Sequence, residues 1–385
     1  MTELMETAHV AALSYDERQM RITWTDGHNS TFDSLWLRDN CPGDRHPATG
    51  QRPVDITDLP ENPKLLSVCR QDDDTLDISW VEDARRARFS SDWLRSNCYC
   101  GEHTHTSSAP VLWRGSDGGI ARFRYCDVEG GQEKRGAWLE SLVRYGIAFL
   151  SEVPCNPGQV LSAAALAGYV TETNYGRIFD VRPVPEPNHL AYTDAGLGLH
   201  TDNPYRDPVP GFQFLHCLQS SDEGGESQFV DGFAVAADLK AEDPEAFAIL
   251  SNTPVPFVFR DADSFLESAR SLIACDLSGQ VVAVHYNGRA MAPLAIPPSR
   301  ILGFYRAYRL FAETLREPEY EMRLRLEPGD LVAFHNHRVL HGRTSFRNGN
   351  GNNKAQRHLQ GCYVSQDGVF SSLAVLQRKG ERILA

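Results

Sequence analysis

The chain has 385 residues, of which 41% are hydrophobic and 23% are charged, and its formal net charge is −13. So apolar a composition excludes disorder as the dominant state, because enough surface can be buried to offset the entropy of ordering. The negative charge disfavours a nucleic-acid-binding protein, and the lack of a run of about 18 apolar residues excludes a membrane-spanning helix.

The amino terminus carries Glu3 and Glu6 where a secretory signal would be basic and then apolar, so we expect a cytoplasmic protein. Nine cysteines are an odd number for a disulfide framework, and the expected compartment is reducing. We therefore interpret most of them as small buried apolar side chains.

An internal repeat occupies the first hundred residues. One copy is ITWTDGHNSTFDSLWLRDNC, Ile22 to Cys41, and the other is ISWVEDARRARFSSDWLRSNC, Ile78 to Cys98. Each copy predicts a strand, a polar turn, a second strand and a short WLR turn. Two such units predict a small β-rich N-terminal domain at residues 1–112, followed by a larger domain at residues 113–385.

The larger domain begins with helical patterns and continues mainly as strands. GAWLESLVRYG predicts a helix leading into the strand IAFLSEV, and GQVLSAAALAGYVTE predicts a second helix. After Leu190 come five strand patterns: GFQFLHCL, SQFVDGF, PVPFVFR, QVVAVHYN and LVAFHNHRVL. Helices are expected near DPEAFAILS and from Ile301 to about Leu315. Many short strands with Gly/Pro turns predict an antiparallel barrel or a jelly roll.

A possible metal-binding set lies within this β-rich part. His200 and Asp202 flank one residue on an extended segment, so that both side chains point to the same face. His341 ends the predicted strand LVAFHNHRVLHG. Two histidines and a carboxylate on neighbouring strands are the facial triad of non-haem Fe(II) oxygenases. Arg357, 16 residues further on, suits bidentate pairing with the distal carboxylate of a dicarboxylic co-substrate.

The remaining features of the sequence are interpreted more conservatively. His335, His337 and His358 are taken as structural histidines. Neither of the glycine-rich nucleotide-binding motifs, GxxxxGK[ST] and GxGxxG, occurs in the chain. The segment NGNGNN, residues 348–353, predicts a flexible loop and is a candidate lid.

Several blocks in the same order resemble one family. LHTDNPYRDPVPGFQFLHCL, GGESQFVDGF, PGDLVAFHNHRVLHGR and RHLQGCY look like the γ-butyrobetaine hydroxylase family, and WLRDNC resembles its N-terminal domain. The family and its relative, trimethyllysine hydroxylase, are 2-oxoglutarate-dependent dioxygenases. The resemblance spans nearly the whole chain. It implies a double-stranded β-helix of jelly-roll type, a homodimer, and formation of L-carnitine, succinate and CO₂.

The resemblance also implies roles for individual residues. His200, Asp202 and His341 would bind Fe(II), and Arg357 and Ser227 would contact 2-oxoglutarate, with O₂ as oxidant and ascorbate as reductant. A quaternary ammonium substrate would be held by aromatic faces through their quadrupoles. The implied cage positions are Tyr175, Phe179, Tyr192 and Tyr363. Asn287, in HYNGR, would bind the substrate carboxylate.

The sequence departs from the family at the structural zinc site. Relatives have three closely spaced cysteines after WLRDN and a histidine in the second repeat, whereas here Cys41 is followed only by His46 as a further candidate. Four residues after Trp80 stands Ala84 instead of a histidine. Cys98 and Cys100 with His103 and His105 have suitable ligand types, but a structural site needs a full set of ligands. No zinc is expected on this basis.

Three alternatives remain open at this point. If the chain is an enzyme, its substrate could be trimethyllysine or another quaternary-ammonium acid, hydroxylated by the same iron chemistry. From a different class, the chain could be a non-catalytic metal-binding sensor on the same fold. The joint presence of His200, Asp202, His341 and Arg357 favours an enzyme, since a sensor needs no co-substrate arginine beside an open metal site.

Overall fold

The structure is a computed structural model that describes residues 8–83, 85–100, 109–115, 119–185, 193–221, 223–347 and 357–384. The chain divides into two compact units, Met1–Ser107 and Ser108–Ala385. Within the described ranges, no helix has both the length and the apolar character needed to cross a membrane.

The first unit is built from the two copies of the repeat. Its elements are β1 (Val10–Tyr15), β2 (Gln19–Trp24), β3 (Asn29–Asp33), α1 (Ser34–Asp39), β4 (Leu65–Arg70), β5 (Thr75–Trp80), β6 (Arg86–Ser90) and α2 (Ser91–Ser96). They form two three-stranded antiparallel sheets, β1-β2-β3 and β4-β5-β6. Each copy therefore contains the predicted hairpin, and each gains a preceding strand that the repeat pattern did not include.

The WLR segments form short helices where the sequence predicted turns. Asp33 caps α1 by accepting a hydrogen bond from the Leu35 N–H (2.8 Å), and Ser90 caps α2 by accepting one from the Trp93 N–H (3.1 Å). Side-chain oxygens at this position satisfy backbone donors that a helix start leaves unpaired, and this favours a short helix over a turn.

The second unit contains the remaining elements. Its strands are β7 (Arg122–Arg124), β8 (Ile147–Ser151), β9 (Val170–Thr171), β10 (Phe179–Val181), β11 (Leu197–His200), β12 (Phe212–Gln219), β13 (Glu223–Gly224), β14 (Ser227–Asp231), β15 (Val255–Arg260), β16 (Phe265–Arg270), β17 (Ile273–Cys275), β18 (Val281–Val284), β19 (Met322–Leu324), β20 (Leu331–His335), β21 (Val339–Arg343), β22 (Phe346–Arg347) and β23 (His358–Val364). Its helices are α3 (Tyr125–Gly130), α4 (Gln132–Tyr145), α5 (Gln159–Ala165), α6 (Gly232–Glu242), α7 (Pro244–Asn252), α8 (Pro298–Thr314) and α9 (Gln366–Leu384).

Two sheets dominate this unit. The larger has strand order β10-β23-β12-β20-β8-β7, with β9 also pairing with β23, and the smaller has order β11-β21-β14-β19. All pairings are antiparallel except β7 with β8. The topology confirms the predicted jelly roll with flanking helices.

Each face of the larger sheet has its own core. On one face, Trp138 and Leu142 of α4 pack with Phe214 and with residues of α5 and α9. On the other face, Leu215 and Phe334 pack with Phe229 of the smaller sheet. The second core joins the two sheets and supports the floor of the cavity described below.

The predicted elements mostly occur, with two differences in extent. The helix expected from Gly136 is α4, and α5 ends at Ala165, before the small β9, although the pattern continues beyond it. The segment 331–340 is two strands, β20 and β21, which lie in different sheets, and the prediction of one strand is wrong. Asn336 and Arg338, in the turn between them, are buried and make side-chain hydrogen bonds that fix the reversal.

Candidate active site

His200, Asp202 and His341 come together on the smaller sheet. His200 of β11 and His341 of β21 are directly opposite each other in the antiparallel register, and their ring centroids are 4.2 Å apart. Asp202 lies two residues after the end of β11. Its Oδ1 is 3.3 Å from His200 Nε2 and 4.0 Å from His341 Nε2. One ligand atom from each residue fits within a group no wider than 4.8 Å.

The backbone of Asp202 is held by the turn between β20 and β21. The Asn336 Oδ1 accepts a hydrogen bond from the Asp202 N–H (2.7 Å), and its Nδ2 donates to the Asp202 carbonyl (2.9 Å) and the Pro210 carbonyl (3.0 Å). Thr201 is fixed on its other side by a reciprocal pair of hydrogen bonds with Tyr286. The carboxylate is thus positioned by backbone constraints on both sides.

Charge within this group follows from burial and from the neighbours. Burial alone would raise the pKa of Asp202. The opposing effect of His341 and His200 is larger, so the pKa of Asp202 lies well below its usual range. Burial, together with His200, lowers the pKa of His341 to about 3. Burial and the Asp202 charge hold the pKa of Tyr363 well above its usual value, and its hydroxyl donates to Asp202 Oδ2 at 2.8 Å.

The three residues open onto a cavity of about 420 Å³ lined by both sheets. A volume of this size suits one or two small molecules. The lining includes all of the sequence-predicted site residues that the structure describes: Tyr175, Phe179, His200, Asp202, Ser227, Asn287, His341, Arg357 and Tyr363. Tyr192 and the loop 348–353 lie outside the described residues.

One side of the cavity is strongly basic. Arg357 precedes β23, is 5% exposed, and has its guanidinium 5.5 Å from the ring centre of Phe346. Burial lowers the pKa of Arg357 to about 10, so it remains protonated at neutral pH. Ser227 of β14 and Arg343 of β21 are cross-strand partners, both buried, and both line the same cavity.

Arg343 was not among the residues singled out from the sequence. Its Nη2 donates to the carbonyls of Thr193 and Ala195, at 2.5 and 3.2 Å, which ties β21 to the chain entering β11. Burial, together with Arg357, lowers the pKa of Arg343 to about 10. The strand pattern places it two residues after His341, on the same face, and that alternation is the signal that identifies it.

An aromatic wall lies on another side of the cavity. The rings of Phe179 and Tyr363 are 5.0 Å apart, and the Tyr175 hydroxyl is 3.2 Å from that of Tyr205. Phe259 of β15 stacks on Tyr205, with centroids 5.2 Å apart. Sequence reasoning missed Tyr205 and Phe259. Tyr205 follows closely after the triad segment in HTDNPY, whereas nothing in the local sequence of Phe259 distinguishes it from a core residue.

Polar groups of several other residues face this cavity. Asn287 is buried; its Nδ2 donates to the Thr201 carbonyl (3.2 Å), while its Oδ1 finds no hydrogen-bond partner among the described residues. Asn203 and Gln213 also line the cavity, and one buried amide atom of each has no hydrogen-bond partner within the described part of the chain. Arg289, two residues after Asn287, is a further lining residue that the sequence did not reveal. Buried amide atoms of this kind normally pair with a polar ligand or with an ordered water.

The other histidines of this region have structural environments. His335 stacks on Phe212 with ring centres 4.6 Å apart, and the Nε2 of His337 is 3.2 Å from the Val209 carbonyl. His358 Nε2 is 2.7 Å from Asp180 Oδ1. Among the described residues, none of the three belongs to a cluster of possible metal ligands.

The chain matches known proteins over nearly its whole length. Residues 118–363 match the family of taurine catabolism dioxygenase TauD, TfdA, and residues 11–80 match the N-terminal domain of γ-butyrobetaine hydroxylase-like proteins. A γ-butyrobetaine dioxygenase from Pseudomonas sp. (strain AK-1) is 37% identical, over 93% of this chain and 93% of the relative. The Homo sapiens γ-butyrobetaine dioxygenase is 32% identical, over 94% and 95%.

More distant matches extend the comparison. A mitochondrial trimethyllysine dioxygenase from Rattus norvegicus is 31% identical, over 90% of this chain and 82% of the relative. The crystal structure of a taurine dioxygenase from Burkholderia xenovorans is 16% identical and has a TM-score of 0.46, over 60% of this chain and 80% of that chain. From the sequence relatives, the chain belongs to the γ-butyrobetaine dioxygenase family, within the wider TauD, TfdA family of dioxygenases.

Proposed function

We propose that this protein hydroxylates γ-butyrobetaine to L-carnitine, using Fe(II), 2-oxoglutarate and O₂ and forming succinate and CO₂. The observation that carries the proposal is the combination of three features in one cavity: a His-Asp-His group, a buried arginine and an aromatic wall. The γ-butyrobetaine dioxygenases at 37% and 32% identity support the choice of substrate.

The residues present fit an iron ion. Two imidazole nitrogens and one carboxylate, all on one side of the cavity, are the donor set of a facial triad that leaves coordination positions open. His200, Asp202 and His341 would hold the metal, which supplies the oxidising chemistry needed to break an unactivated C–H bond. The protein fixes the three ligands beforehand through the β11–β21 register and the Asn336 hydrogen bonds.

Arg357 is the residue that suits the co-substrate. A buried guanidinium can pair with the distal carboxylate of 2-oxoglutarate through two parallel hydrogen bonds. Gly225 makes room for it, because a Cβ there would lie 3.1 Å from Arg357 Cδ and 3.2 Å from its Nε. Ser227, buried in the same wall, would donate its hydroxyl hydrogen to that carboxylate.

The aromatic wall suits the cationic end of the substrate. A trimethylammonium group offers no hydrogen-bond donor, so it is recognised through the negative faces of aromatic rings, at about 0.5–2 kcal/mol per contact. Tyr175, Phe179 and Tyr363 supply such faces, and Tyr205 extends the wall. At the other end, the second Nδ2 hydrogen of Asn287 would donate to the substrate carboxylate. Holding both ends determines which C–H bond faces the metal.

The test is succinate release by the purified chain with Fe(II), ascorbate and 2-oxoglutarate, run in parallel with γ-butyrobetaine and with trimethyllysine. Stimulation by γ-butyrobetaine, with carnitine as product, is expected. Stimulation by trimethyllysine alone would retain the chemistry and overturn the substrate. If neither compound raises turnover above the uncoupled background, the aromatic wall binds something else and the proposal fails.

Three expectations from the sequence analysis stay predictions. They are the homodimer, the cytoplasmic location and the lid role of the loop at residues 348–353.

A further inference from the structure

A second cluster of metal-ligating side chains lies in the first unit, apart from the cavity. It consists of His28, in the turn between β2 and β3, and Cys98 and Cys100, which follow α2. The His28 Nε2 is 3.4 Å from Cys98 Sγ and 3.3 Å from Cys100 Sγ. Seventy residues separate His28 from Cys98, so the sequence pattern alone did not connect them.

The distances match those of a shared ion. Zinc binds imidazole nitrogen at about 2.0 Å and thiolate sulfur at about 2.3 Å, and a tetrahedral angle between them places nitrogen and sulfur about 3.5 Å apart. A single ring nitrogen carries one hydrogen at most, so Nε2 cannot donate to both sulfurs. A metal between the three atoms accounts for both short contacts at once.

The environment of Cys98 suits a metal-bound thiolate. Cys98 is 6% exposed, and its sulfur accepts a hydrogen bond from the Ser30 hydroxyl at 3.0 Å. Ser30 is oriented in turn by the Trp24 Nε1, which donates to its Oγ at 2.8 Å. Hydrogen bonds of this kind stabilise the charge on metal ligands and fix their orientation.

The internal repeat provides a comparison within the same chain. The Trp24 N–H bonds to the His28 carbonyl, and the Trp80 N–H bonds to the Arg85 carbonyl, so Arg85 is the structural counterpart of His28. The turn of the second repeat is one residue longer than that of the first. The residue to compare with the histidine is therefore Arg85, one position after the Ala84 used in the sequence analysis. In each repeat the arginine of WLR bonds to an aspartate in the other repeat's turn: Arg38 to Asp83 and Arg95 to Asp26.

The two junctions differ in the chemistry that closes them. Where the end of α1 meets the second turn, Arg85 bonds to the Asp44 carboxylate and to the Gly43 carbonyl (3.0 Å), so the groups neutralise each other. Where the end of α2 meets the first turn, the corresponding place holds an imidazole and two thiols. The charges of an arginine and a carboxylate balance each other, so that junction needs no metal ion. Histidine and cysteine side chains, in contrast, are the ligand types that zinc prefers.

We propose that His28, Cys98 and Cys100 bind a zinc ion that joins the two repeats of the first unit. The three described ligands come from the two repeats together, which explains why counting ligands after Cys41 gave no site. They fill three of the four positions around a tetrahedral zinc ion and leave one position to a fourth ligand that these residues do not supply. His103 and His105, which the sequence grouped with these cysteines, lie outside the described residues and form no part of the proposal. Because the ligands must lose protons to bind metal, site formation contributes to folding of this unit.

The experiment measures zinc and iron separately in the full chain purified from zinc-replete medium without chelator. About one zinc per chain is expected. His28→Ala and Cys100→Ser should lower the zinc content at least fivefold, while Cys69→Ser, an exposed cysteine of β4, should leave it unchanged. His341→Ala should also retain the zinc, which separates this site from the cavity.

Two further measurements distinguish loss of metal binding from loss of folding in the variants. Cobalt added to the zinc-free chain should give thiolate-to-metal charge-transfer absorption that Cys100→Ser weakens, and a chelator should lower the Tm of the parent chain but not of Cys100→Ser. The proposal is overturned if the parent chain holds no zinc, if Cys100→Ser holds as much as the parent, or if thiol titration finds Cys98 and Cys100 oxidised to a disulfide.

Discussion

At the scale of single residues, the cavity presents two kinds of binding group, buried cationic side chains and aromatic ring faces. Arg357 and Arg343 are two buried cations 14 positions apart in the chain, and the Arg343 Nη2 donates to the Thr193 and Ala195 carbonyls in the segment that leads into β11. Arg343 therefore positions the strand carrying His200, and Arg357 is the arginine proposed to bind 2-oxoglutarate. The distinction between them predicts different effects of substitution.

Arg357→Lys should raise the KM for 2-oxoglutarate by about 10- to 100-fold, because lysine keeps the charge but loses the two-pronged hydrogen bonding. The KM for γ-butyrobetaine should change far less. Steady-state succinate assays at varied concentrations of each compound measure both constants, with Arg347→Lys, at the exposed residue of β22, as the matched control. Equal increases in both constants would count against the assignment.

Tyr175→Leu should raise the KM for γ-butyrobetaine by about 2- to 30-fold, since one cation–π contact contributes about 0.5–2 kcal/mol. Tyr175→Phe keeps the aromatic face and removes the hydroxyl that lies 3.2 Å from that of Tyr205, so the KM of this variant should stay near that of the parent chain. The pair of variants is compared in the same assay. If leucine and phenylalanine behave alike, the ring face plays no part in binding.

At the scale of secondary-structure elements, the turn between β20 and β21 connects the two sheets and also holds the metal-binding segment. Asn336, in that turn, makes three hydrogen bonds to the Asp202 and Pro210 backbones. The sequence does contain a polar break, His335 to Arg338, between the apolar parts of the two strands. The prediction of one continuous strand passed over this break, although the reversal falls there.

Asn336→Ala should raise the Fe(II) concentration needed for half-maximal activity by about 10- to 100-fold, as is typical when a partner of a metal ligand is removed. Stability should also fall by about 1–3 kcal/mol, because the Asp202 N–H is left unpaired. Iron titration of turnover and urea unfolding test the two effects. Asn252→Ala, which removes one exposed hydrogen bond on α7, is the control. An unchanged iron requirement would remove Asn336 from the site.

Much of the site was predictable because strand alternation relates sequence spacing to direction. His200 and His341 were paired from residue order, and the register places them directly opposite each other. Tyr205, Phe259 and Arg289 were not found, since no periodicity shows which aromatic or basic residue faces a cavity. The proposed zinc ligands Cys98 and Cys100 lie about 70 residues after His28, so no local motif connects them. The turn of the second repeat is also one residue longer than that of the first, and this hid the correspondence between His28 and Arg85.

At the scale of the whole molecule, a buried ion pair connects distant segments of the second unit. Its members are Arg338 and Asp231, whose side chains are 1% and 0% exposed, and the Arg338 Nη2 lies 2.7 Å from the Asp231 Oδ2. Arg338 also donates to the carbonyls of Arg144 and Val111, at 2.8 and 2.6 Å. One side chain thus joins the end of α4, the segment before β7, the end of β14 and the β20–β21 turn.

Arg338→Ala should destabilise the protein by about 3–5 kcal/mol, because the Asp231 charge would remain buried without its partner. Urea or thermal unfolding followed by circular dichroism measures the loss. Arg306→Ala breaks an exposed ion pair with Asp243 and should cost no more than about 1 kcal/mol. A loss as small as that of Arg306→Ala would show that the buried network is not a principal support of the unit.

The central claim is that the His-Asp-His group performs iron-dependent hydroxylation of γ-butyrobetaine. It is tested most directly by measuring carnitine formed by the parent chain and by His341→Ala, with and without added Fe(II), after confirming matching circular dichroism spectra. The parent chain should form carnitine only with iron, and His341→Ala should form none at any iron concentration, while His46→Ala should match the parent. Full carnitine formation by His341→Ala would contradict the assignment of the site.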